Sequence, residues 1–251
     1  MPRTHILSID IGGSKVKCLL SGENEPRAVA SGPDLGAADM VHEVRRAARG
    51  WKYDGVSIGY PGLVGDSGPL AEPGNLGPGW VGFDFAAAFD CPVKIVNDAG
   101  MQALGTYDGG RMLFLGLGTG VGSALIADGV LVPLELGELA AKGGTLNERL
   151  GRAALDDIGK KKWRKRVLKA LGSLQRAFRT DYAVLGGGNA KHLREPLPPG
   201  VRLGHNHAAF RGGYRLWGIE DLPTHVNGHR EAKARNGNGS REPAARQWRI
   251  L

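Results

Sequence analysis

Cysteine is nearly absent from this chain, which has only Cys18 and Cys91 among its 251 residues. Two cysteines supply neither a disulfide framework nor a set of thiolate ligands for a metal. Both lie in apolar stretches, where a cysteine behaves as a small hydrophobic residue. These features favour a reducing, cytoplasmic setting over an extracellular one.

Long apolar segments are missing as well. The nearest candidate for a membrane span, residues 112–127, is too short and is interrupted by glycines. The N-terminal residues lack the continuous apolar stretch of a secretory signal. With 41% hydrophobic and 23% charged residues, we expect a soluble protein large enough to form one domain or two lobes. No membrane partner is expected.

Acidic residues are outnumbered by basic ones, and the formal net charge is +8. The segment 160–166 (KKKWRKR) concentrates basic residues. The apolar residues that follow helical spacing through this region are Trp163, Val167, Leu171, Leu174 and Phe178. The pattern predicts an amphipathic helix over about 157–179, with a basic first turn that opposes the helix dipole. That turn is either a solvated face or a site for a polyanion.

Strand and helix patterns alternate along the chain, which predicts an α/β fold. The predicted elements are a hairpin at 5–20, a helix at 37–49, a strand at 56–59, a glycine- and proline-rich loop at 60–79, a short helix at 83–89, a strand at 93–96, a helix at 97–106, a hairpin at 112–126, the basic helix, a strand at 182–185 and a helix at 208–217. Residues 221–251 are mostly polar and rich in Gly, Asn and Arg, so we expect a disordered basic tail there. With Trp248 as its one aromatic residue, the tail suggests no specific nucleic acid partner.

The two predicted hairpins are related in sequence. The stretch SIDIGGSKVKCLL from Ser8 aligns with FLGLGTGVGSALI from Phe114, strand with strand and glycine turn with glycine turn. Glycine turns allow backbone N–H groups to approach an anion closely, so two facing turns would hold a chain of phosphates. Neither turn has the Walker pattern or the G-x-G-x-x-G pattern, and a dehydrogenase-type nucleotide site is therefore not expected.

Two aspartates follow predicted strands. An unpaired carboxylate inside a sheet is costly, so Asp10 is expected to face a cleft, a cation or a solvated turn. Asn97 is a competent N-cap, and Asp98 in the first helical turn gains from the helix dipole, which would suffice as a structural role. Strand ends in α/β sheets are also where ligands bind. Two such acids and two glycine turns supply the groups that phosphoryl transfer needs.

Seven ordered motifs resemble the ROK family of sugar kinases, and most of all its polyphosphate glucokinase branch. They are DIGGSKVK (10–17), GYPGLV (59–64), GNLGPGWVGFD (74–84), VNDAG (96–100), GLGTGVGSAL (116–125), ELGE (135–138) and LGGGNAK (185–191). The resemblance implies an actin-like fold of two ribonuclease H-like lobes around a cleft. One lobe would comprise residues 1–96 with about 205–220, and the other residues 97–204.

The resemblance also implies an activity: transfer of a phosphoryl group to a hexose, at the 6-hydroxyl of glucose or a similar sugar. Polyphosphate, ATP or both would be the donor, Mg²⁺ the cofactor and a homodimer the assembly. In this implied site Asp98 is the base, and Asp10 serves the Mg²⁺ shell through water. The donor phosphates would be held by Gly12, Gly13, Ser14 and Lys15 on one side and by Gly118, Thr119 and Gly120 on the other, with Gly187 and Gly188 lining the donor channel.

The sugar-binding positions implied by the resemblance are Asn75, Asn97, Asp98, Glu135, Glu138 and Glu148, with Asn147 as the alternative to Glu148. Amides and carboxylates can each serve two hydroxyl groups, and they discriminate strongly because the wrong sugar leaves them unpaired. Trp80 is either a packing anchor for its loop or a surface on which a sugar ring stacks. The spacing of His192, His205 and His207 does not favour a metal site.

Two departures from the family pattern affect the expected function. Glu138 stands where the family has a histidine, and its charge beside Asp98 and Glu135 would raise a pKa among these carboxyl groups. The cysteine-rich zinc motif is absent, so no zinc site is expected. The glutamate leaves a second interpretation open, a catalytically weak or silent sugar-binding sensor.

Overall fold

A computed structural model of the chain describes residues 4–193, 196–205, 207–220 and 248–251. Its first half contains β1 (Ile6–Ile11), β2 (Lys15–Leu20), β3 (Arg27–Ala30), α1 (Ala37–Ala47), β4 (Gly55–Tyr60), β5 (Val64–Gly65), β6 (Gly68–Pro69), α2 (Phe85–Phe89) and β7 (Val93–Asn97). Its second half contains α3 (Asp98–Thr106), β8 (Arg111–Leu117), β9 (Val121–Ala127), β10 (Val130–Leu134), β11 (Ala140–Ala141), β12 (Gly144–Thr145), α4 (Leu146–Leu150), α5 (Arg152–Phe178), β13 (Tyr182–Gly186), β14 (Val201–Leu203), α6 (Ala208–Arg215) and β15 (Arg249–Ile250). Short 3₁₀ turns lie at Leu136–Glu138 and Ala190–His192.

The two main sheets share one strand pattern. The first has the order β3-β2-β1-β4-β7, and the second contains β10-β9-β8-β13-β14 in the corresponding positions. In each sheet the first three strands are antiparallel and the last two run parallel to the third. The hairpins β1–β2 and β8–β9 therefore occupy equivalent places, which confirms the internal repeat predicted from the sequence.

Two predictions about the elements need correction, the basic helix and the disordered tail. Helix α5 begins at Arg152, earlier than predicted, and is interrupted at Gly159, whose φ of 74° lies outside the helical range. The basic residues open the second segment of this helix, after that glycine. Residues 221–247 of the predicted tail lie outside the described residues, whereas residues 249–250 do not form a disordered tail: β15 pairs parallel to β10. The ring of Trp248 packs edge-on against Tyr107 at 5.5 Å between centroids.

Alternation along the strands decides which side chains enter which layer. On β1, Leu7, Ile9 and Ile11 pack against α1, whereas Ile6 packs against α6. On β8, Leu113 and Leu115 belong to the core that α5 covers, whereas Met112 and Phe114 pack with α3. Helices α6 and α3 thus lie between the two sheets. Asp10 follows Ile6 by four residues on β1, so its side chain lies on the same face of the strand, the one turned toward the second sheet.

Helices α3 and α6 approach each other at their backbones. A Cβ at Gly105 would lie 1.8 Å from the carbonyl oxygen of Ala208, and one at Gly212 would lie 1.7 Å from that of Met101. The buried Arg215 fastens the same pair, because its Nη1 donates to the carbonyl oxygens of Leu104 and Tyr107 at 2.5 and 2.8 Å.

Helix α6 also contacts the first sheet, in agreement with the expectation for residues 208–217. The hydroxyl of Tyr214 donates to the carbonyl oxygen of Leu19, and that of Ser57 to the carbonyl oxygen of Gly213. The two halves are therefore joined through one helix pair. Among the described helices, none combines the length and apolar character that a membrane crossing requires.

We predict that Gly105→Ala destabilises the protein strongly. The added methyl group would collide with backbone atoms of α6 that cannot rotate away, and overpacking of this kind costs about 1–3 kcal/mol or more. Gly172→Ala is the matched control, because a Cβ there meets only the end of the flexible Arg176 side chain at 3.6 Å, and alanine is the better helix former by about 1 kcal/mol. Thermal and urea unfolding of both variants measure the difference, and equal midpoints would contradict the close contact.

Candidate active site

The turn between β1 and β2 carries the first glycine pair. The N–H of Gly12 donates to the carbonyl oxygen of Lys15 at 3.0 Å and closes the turn. A Cβ at Gly13 would lie 2.5 Å from Nδ2 of Asn75, so the predicted sugar-binding amide touches this turn. Ser14 and the Lys15 side chain are exposed beside it. The structure thus brings Asn75 to the first predicted donor site.

Asn75 lies in a loop that is fastened at both ends. The exposed carboxylate of Glu72 accepts hydrogen bonds from the N–H groups of Trp80 and Val81 at 3.1 and 3.2 Å. Trp80 is fully buried, and its indole N–H donates to the carbonyl oxygen of Gly77 at 2.7 Å. Trp80 is therefore a packing anchor, which decides between the two roles predicted for it.

The turn between β8 and β9 carries the second glycine pair and is held from the side of α4 and β13. Asn147 accepts a hydrogen bond from the N–H of Val121 at 2.7 Å through Oδ1, and a Cβ at Gly120 would lie 2.7 Å from the same oxygen. The buried Asn189 donates from Nδ2 to the carbonyl oxygen of Gly118 at 2.7 Å. Thr119 accepts at its carbonyl oxygen from the N–H of Arg152, the first residue of α5.

A cleft of about 470 Å³ opens between the two halves. Asp10 lies on one wall, and Gly187 and Gly188 lie on the other. The structure therefore brings together three residues that the sequence assigned to the donor site. The lining also includes Lys17, Gln102, Lys191 and His205, which the sequence analysis did not select.

Asp98 opens α3 beside this cleft, with Oδ1 accepting from the N–H of Ala99 at 2.7 Å. Burial raises its pKa to about 7, the charges of Asp10 and Glu135 add to the rise, and the Ala99 hydrogen bond opposes it. Burial likewise raises the pKa of Asp10, against the lowering effect of Lys17. The two aspartates thus lie close enough to influence each other, and at neutral pH Asp98 is poised between its acid and base forms.

The predicted sugar-binding residues divide into two groups. Burial and the charge of Glu138 raise the pKa of Glu135, so both belong to the acidic cluster around Asp98. Asn97 has a structural task, because Oδ1 accepts from the N–H groups of Ala99 and Gly100 while Nδ2 donates to the carbonyl oxygen of Gly62.

The alternative between Glu148 and Asn147 also gains a structural basis. Glu148 forms a capping box with Thr145 at the start of α4, where its Oε2 accepts from the Thr145 N–H at 2.8 Å. Asn147 donates from Nδ2 to Oε1 of Glu138 at 2.7 Å. Of the two, Asn147 is the residue in contact with the acidic cluster, and it links that cluster to the second glycine turn.

Signals for some of the missed residues exist in the sequence. Lys17 on β2 pairs with Asp10 on β1. Lys15 and Lys17 are two residues apart on β2, so their side chains point to the same face of the sheet. Gln102 follows Asp98 by one helical turn and so shares its face. Thr145 and Glu148 fit the S/T-x-x-E capping pattern, which would have predicted a structural role for the glutamate. Asn189 had no such local signal, since its partner Gly118 is far away in the chain.

Mg²⁺ fits the residues at the cleft. It is a hard cation that proteins hold through one or two carboxylates together with water and substrate phosphates, and Asp10 is a partly buried carboxyl group beside Asp98 on the donor side. Within the described part of the chain, no group of three or more His, Cys, Asp or Glu side chains could hold a metal by itself. A cation at Asp10 would therefore depend on the donor phosphates for most of its ligands.

Comparison with known proteins relates the chain to one family. The ROK family model matches residues 6–137. The polyphosphate glucokinase of Mycobacterium leprae is 28% identical over 211 residues, which cover 77% of this chain and 62% of that protein, so the match spans less than two thirds of that relative. The polyphosphate glucokinase of Mycobacterium tuberculosis strain H37Rv is 27% identical over 218 residues, covering 77% of this chain and 81% of that protein.

A solved structure shows the same fold. The inorganic polyphosphate/ATP-glucomannokinase from Arthrobacter sp. strain KM superposes with a TM-score of 0.67 at 24% identity, covering 84% of this chain and 96% of that one. The expected actin-like architecture, with two lobes around a cleft, is therefore confirmed. Because the family model covers more than half of its residues, the chain belongs to the ROK family.

We predict that Asp98→Asn stabilises the fold at high pH. The folded-state pKa of about 7 lies above the ordinary value of 3.8, so the wild type loses stability as pH rises through this interval, whereas the asparagine variant does not. We expect the melting temperature of Asp98→Asn minus that of the wild type, measured from pH 4 to 9, to grow up to about pH 7 and then level off.

Asp66→Asn serves as the control for that measurement, because it removes the same charge from an exposed turn. A difference between wild type and Asp98→Asn that is independent of pH, or the same as for Asp66→Asn, would show that the Asp98 carboxyl is not buried as described.

Proposed function

We propose that this protein is a hexose kinase that transfers the terminal phosphoryl group of polyphosphate or ATP to the 6-hydroxyl of glucose or a similar hexose. The observation that carries the proposal is the electrostatic coupling of Asp98, whose pKa is raised to about 7, to Asp10, which lines the cleft together with Gly187 and Gly188. A carboxyl group with a pKa near neutrality is matched to general-base work at pH 7. The curated names of the Mycobacterium relatives support the same activity.

The proposed reaction needs one proton transfer and one displacement. The carboxylate of Asp98 accepts the proton of the sugar hydroxyl while the hydroxyl oxygen attacks the terminal phosphorus of the donor. A bond forms between that oxygen and phosphorus, and the bond from phosphorus to the bridging oxygen of the donor breaks. The electron pair leaves with the shortened donor, and Asp98 is left protonated. The products are the hexose 6-phosphate and a donor one phosphate shorter.

The residues around Asp98 divide the remaining work. The backbone N–H groups of Gly13 and Gly120 would bind the phosphate oxygens, because those of Gly12 and Gly118 close their own turns. Lys17 and Lys191 in the cleft would bind phosphate oxygens as well. Asn75 and Glu135 would bind sugar hydroxyls and orient the one that reacts. Mg²⁺ held by Asp10, when bound, would neutralise charge on the phosphate oxygens.

Polyphosphate and ATP are both retained as donors. Two Mycobacterium relatives are named polyphosphate glucokinases, and the Arthrobacter enzyme is named for both donors. The cleft beside Gly187 has room for a nucleotide or a phosphate chain, and its lysines suit either. Comparison of the two donors under one assay is therefore part of the test.

We predict that the wild type with Mg²⁺ and glucose forms glucose 6-phosphate and that Asp98→Asn lowers kcat by about 10²- to 10⁴-fold, the usual contribution of a general base. A coupled dehydrogenase assay with polyphosphate and with ATP measures both. The Asp66→Asn variant should retain full activity. Undiminished turnover in Asp98→Asn would end the assignment of the base, and glucose binding by calorimetry without turnover on either donor would favour the silent sensor instead.

We predict that Glu138→Gln extends glucose binding to lower pH. Glutamine removes the charge that helps to raise the pKa of Glu135, yet its carbonyl oxygen still accepts from Asn147. Glu135 then stays ionised at lower pH, so the rise in glucose KM on acidification should begin at lower pH than in wild type. Glu138→Ala should show the same shift and should also bind the donor more weakly. In that variant Asn147, which holds the second glycine turn, loses its acceptor. An unchanged profile in both variants would refute the coupling of the two glutamates.

A further inference from the structure

A basic groove lies outside the cleft, on the surface of α5. Its cavity measures about 430 Å³ and is lined by Lys160, Lys161, Arg164, Lys165, Leu168 and His192. The five α5 residues of this lining are spaced at one, four, five and eight positions after Lys160. This spacing places their side chains on one side of the helix, where they form a continuous row. The opposite face of the same segment, with Trp163 and Val167, is fully buried in the core.

The lysines of this groove have no acidic partner among the residues that the structure describes. Lys160, Lys161 and Lys165 are exposed, and none of them forms an ion pair with a residue that the structure describes. The nearby Asp156 is already paired with Arg152 at 2.8 Å. Placing several cations on the first turns of a helical segment opposes its dipole. A bound polyanion would remove both the mutual repulsion and the dipole penalty.

The groove and the donor cleft lie on either side of one short turn. The 3₁₀ turn Ala190–His192 separates the two, with Lys191 lining the cleft and His192 lining the groove. The N–H of Ala190 donates to the carbonyl oxygen of Gly187, so this turn follows directly from the glycines of the cleft. A chain that leaves the cleft past Lys191 therefore meets the groove next.

We propose that this groove binds the distal part of a linear polyphosphate whose reacting end lies in the cleft. The inference rests on the proposed function, because it extends the donor site of that reaction. A short donor ends inside the cleft and does not reach the groove. The site thus selects for chain length and leaves the chemistry at Asp98 unchanged.

The lining of the groove favours polyphosphate over a nucleic acid. Single-stranded nucleic acids are held by aromatic side chains on which bases stack, in addition to cations. The described lining residues are cations, one leucine and one histidine, and the aromatic Trp163 is buried on the other face of the helix. A backbone of closely spaced phosphates without bases is the ligand that such a surface matches.

The test replaces three lysines together: Lys160→Gln, Lys161→Gln and Lys165→Gln in one chain. The control, Arg46→Gln, Arg49→Gln and Lys52→Gln, removes the same charge from the first half of the chain. Three exposed charge contacts are worth about tenfold in affinity together. For long-chain polyphosphate we expect kcat/KM to fall about tenfold through KM in the groove variant only. Activity with tripolyphosphate and with ATP should stay within about twofold of wild type.

Binding is measured separately so that the two proposals can fail independently. Long-chain polyphosphate and a single-stranded oligonucleotide are titrated into Asp98→Asn protein with and without the three groove substitutions, at several salt concentrations. Weaker binding of polyphosphate and a shallower salt dependence in the groove variant support the site, even where the kinase assay shows no turnover. Unchanged polyphosphate binding, equal loss in the control, or loss confined to the oligonucleotide overturns it.

Discussion

The backbone contact between α3 and α6 is the constraint on which the rest of the structure depends. Two glycines, Gly105 and Gly212, allow the helices to approach until backbone meets backbone, and the buried Arg215 ties the end of one helix to the other. The same two helices supply parts of the site. Asp98 opens α3, and Ala208 at the start of α6 lines the cleft. The distance between the sheets and the position of the base are therefore decided by one contact.

Charge is separated around the cleft in a way that suits an anionic donor and a polyol acceptor. The charges of Asp10 and Glu135 raise the pKa of Asp98, and the charge of Glu138 raises that of Glu135. Lysines line the donor side and continue into the groove on α5. Glu138 in place of a family histidine adds to the acidic side, but it also accepts from Asn147, which holds the second glycine turn. The substitution thus has a structural partner in this chain.

Much of the candidate site could be predicted because its motifs are local. Glycine turns and strand-end aspartates are recognisable within a few residues, and the structure places Asp10, Gly187 and Gly188 at one cleft. Asn147 and Asn189 are different, because each is defined by a hydrogen bond to a turn that is distant in sequence. Glu148 illustrates the reverse case, in which a local capping pattern accounts for a residue that had been assigned to the sugar.

The sequence by itself determined the two hairpins, the main helices, the internal repeat and the family, since periodicity, glycine turns and motif order are properties of short segments. It also predicted that α6 returns to the first sheet. It did not predict β3, β10 and β14, which extend the two sheets. Only the tertiary structure decided that Lys17, Asp10, Gly187 and Lys191 line one cleft, that α5 is interrupted at Gly159, and that residues 249–250 add a strand beside β10. Those features arise from contacts between segments far apart along the chain, and no local pattern encodes such distances.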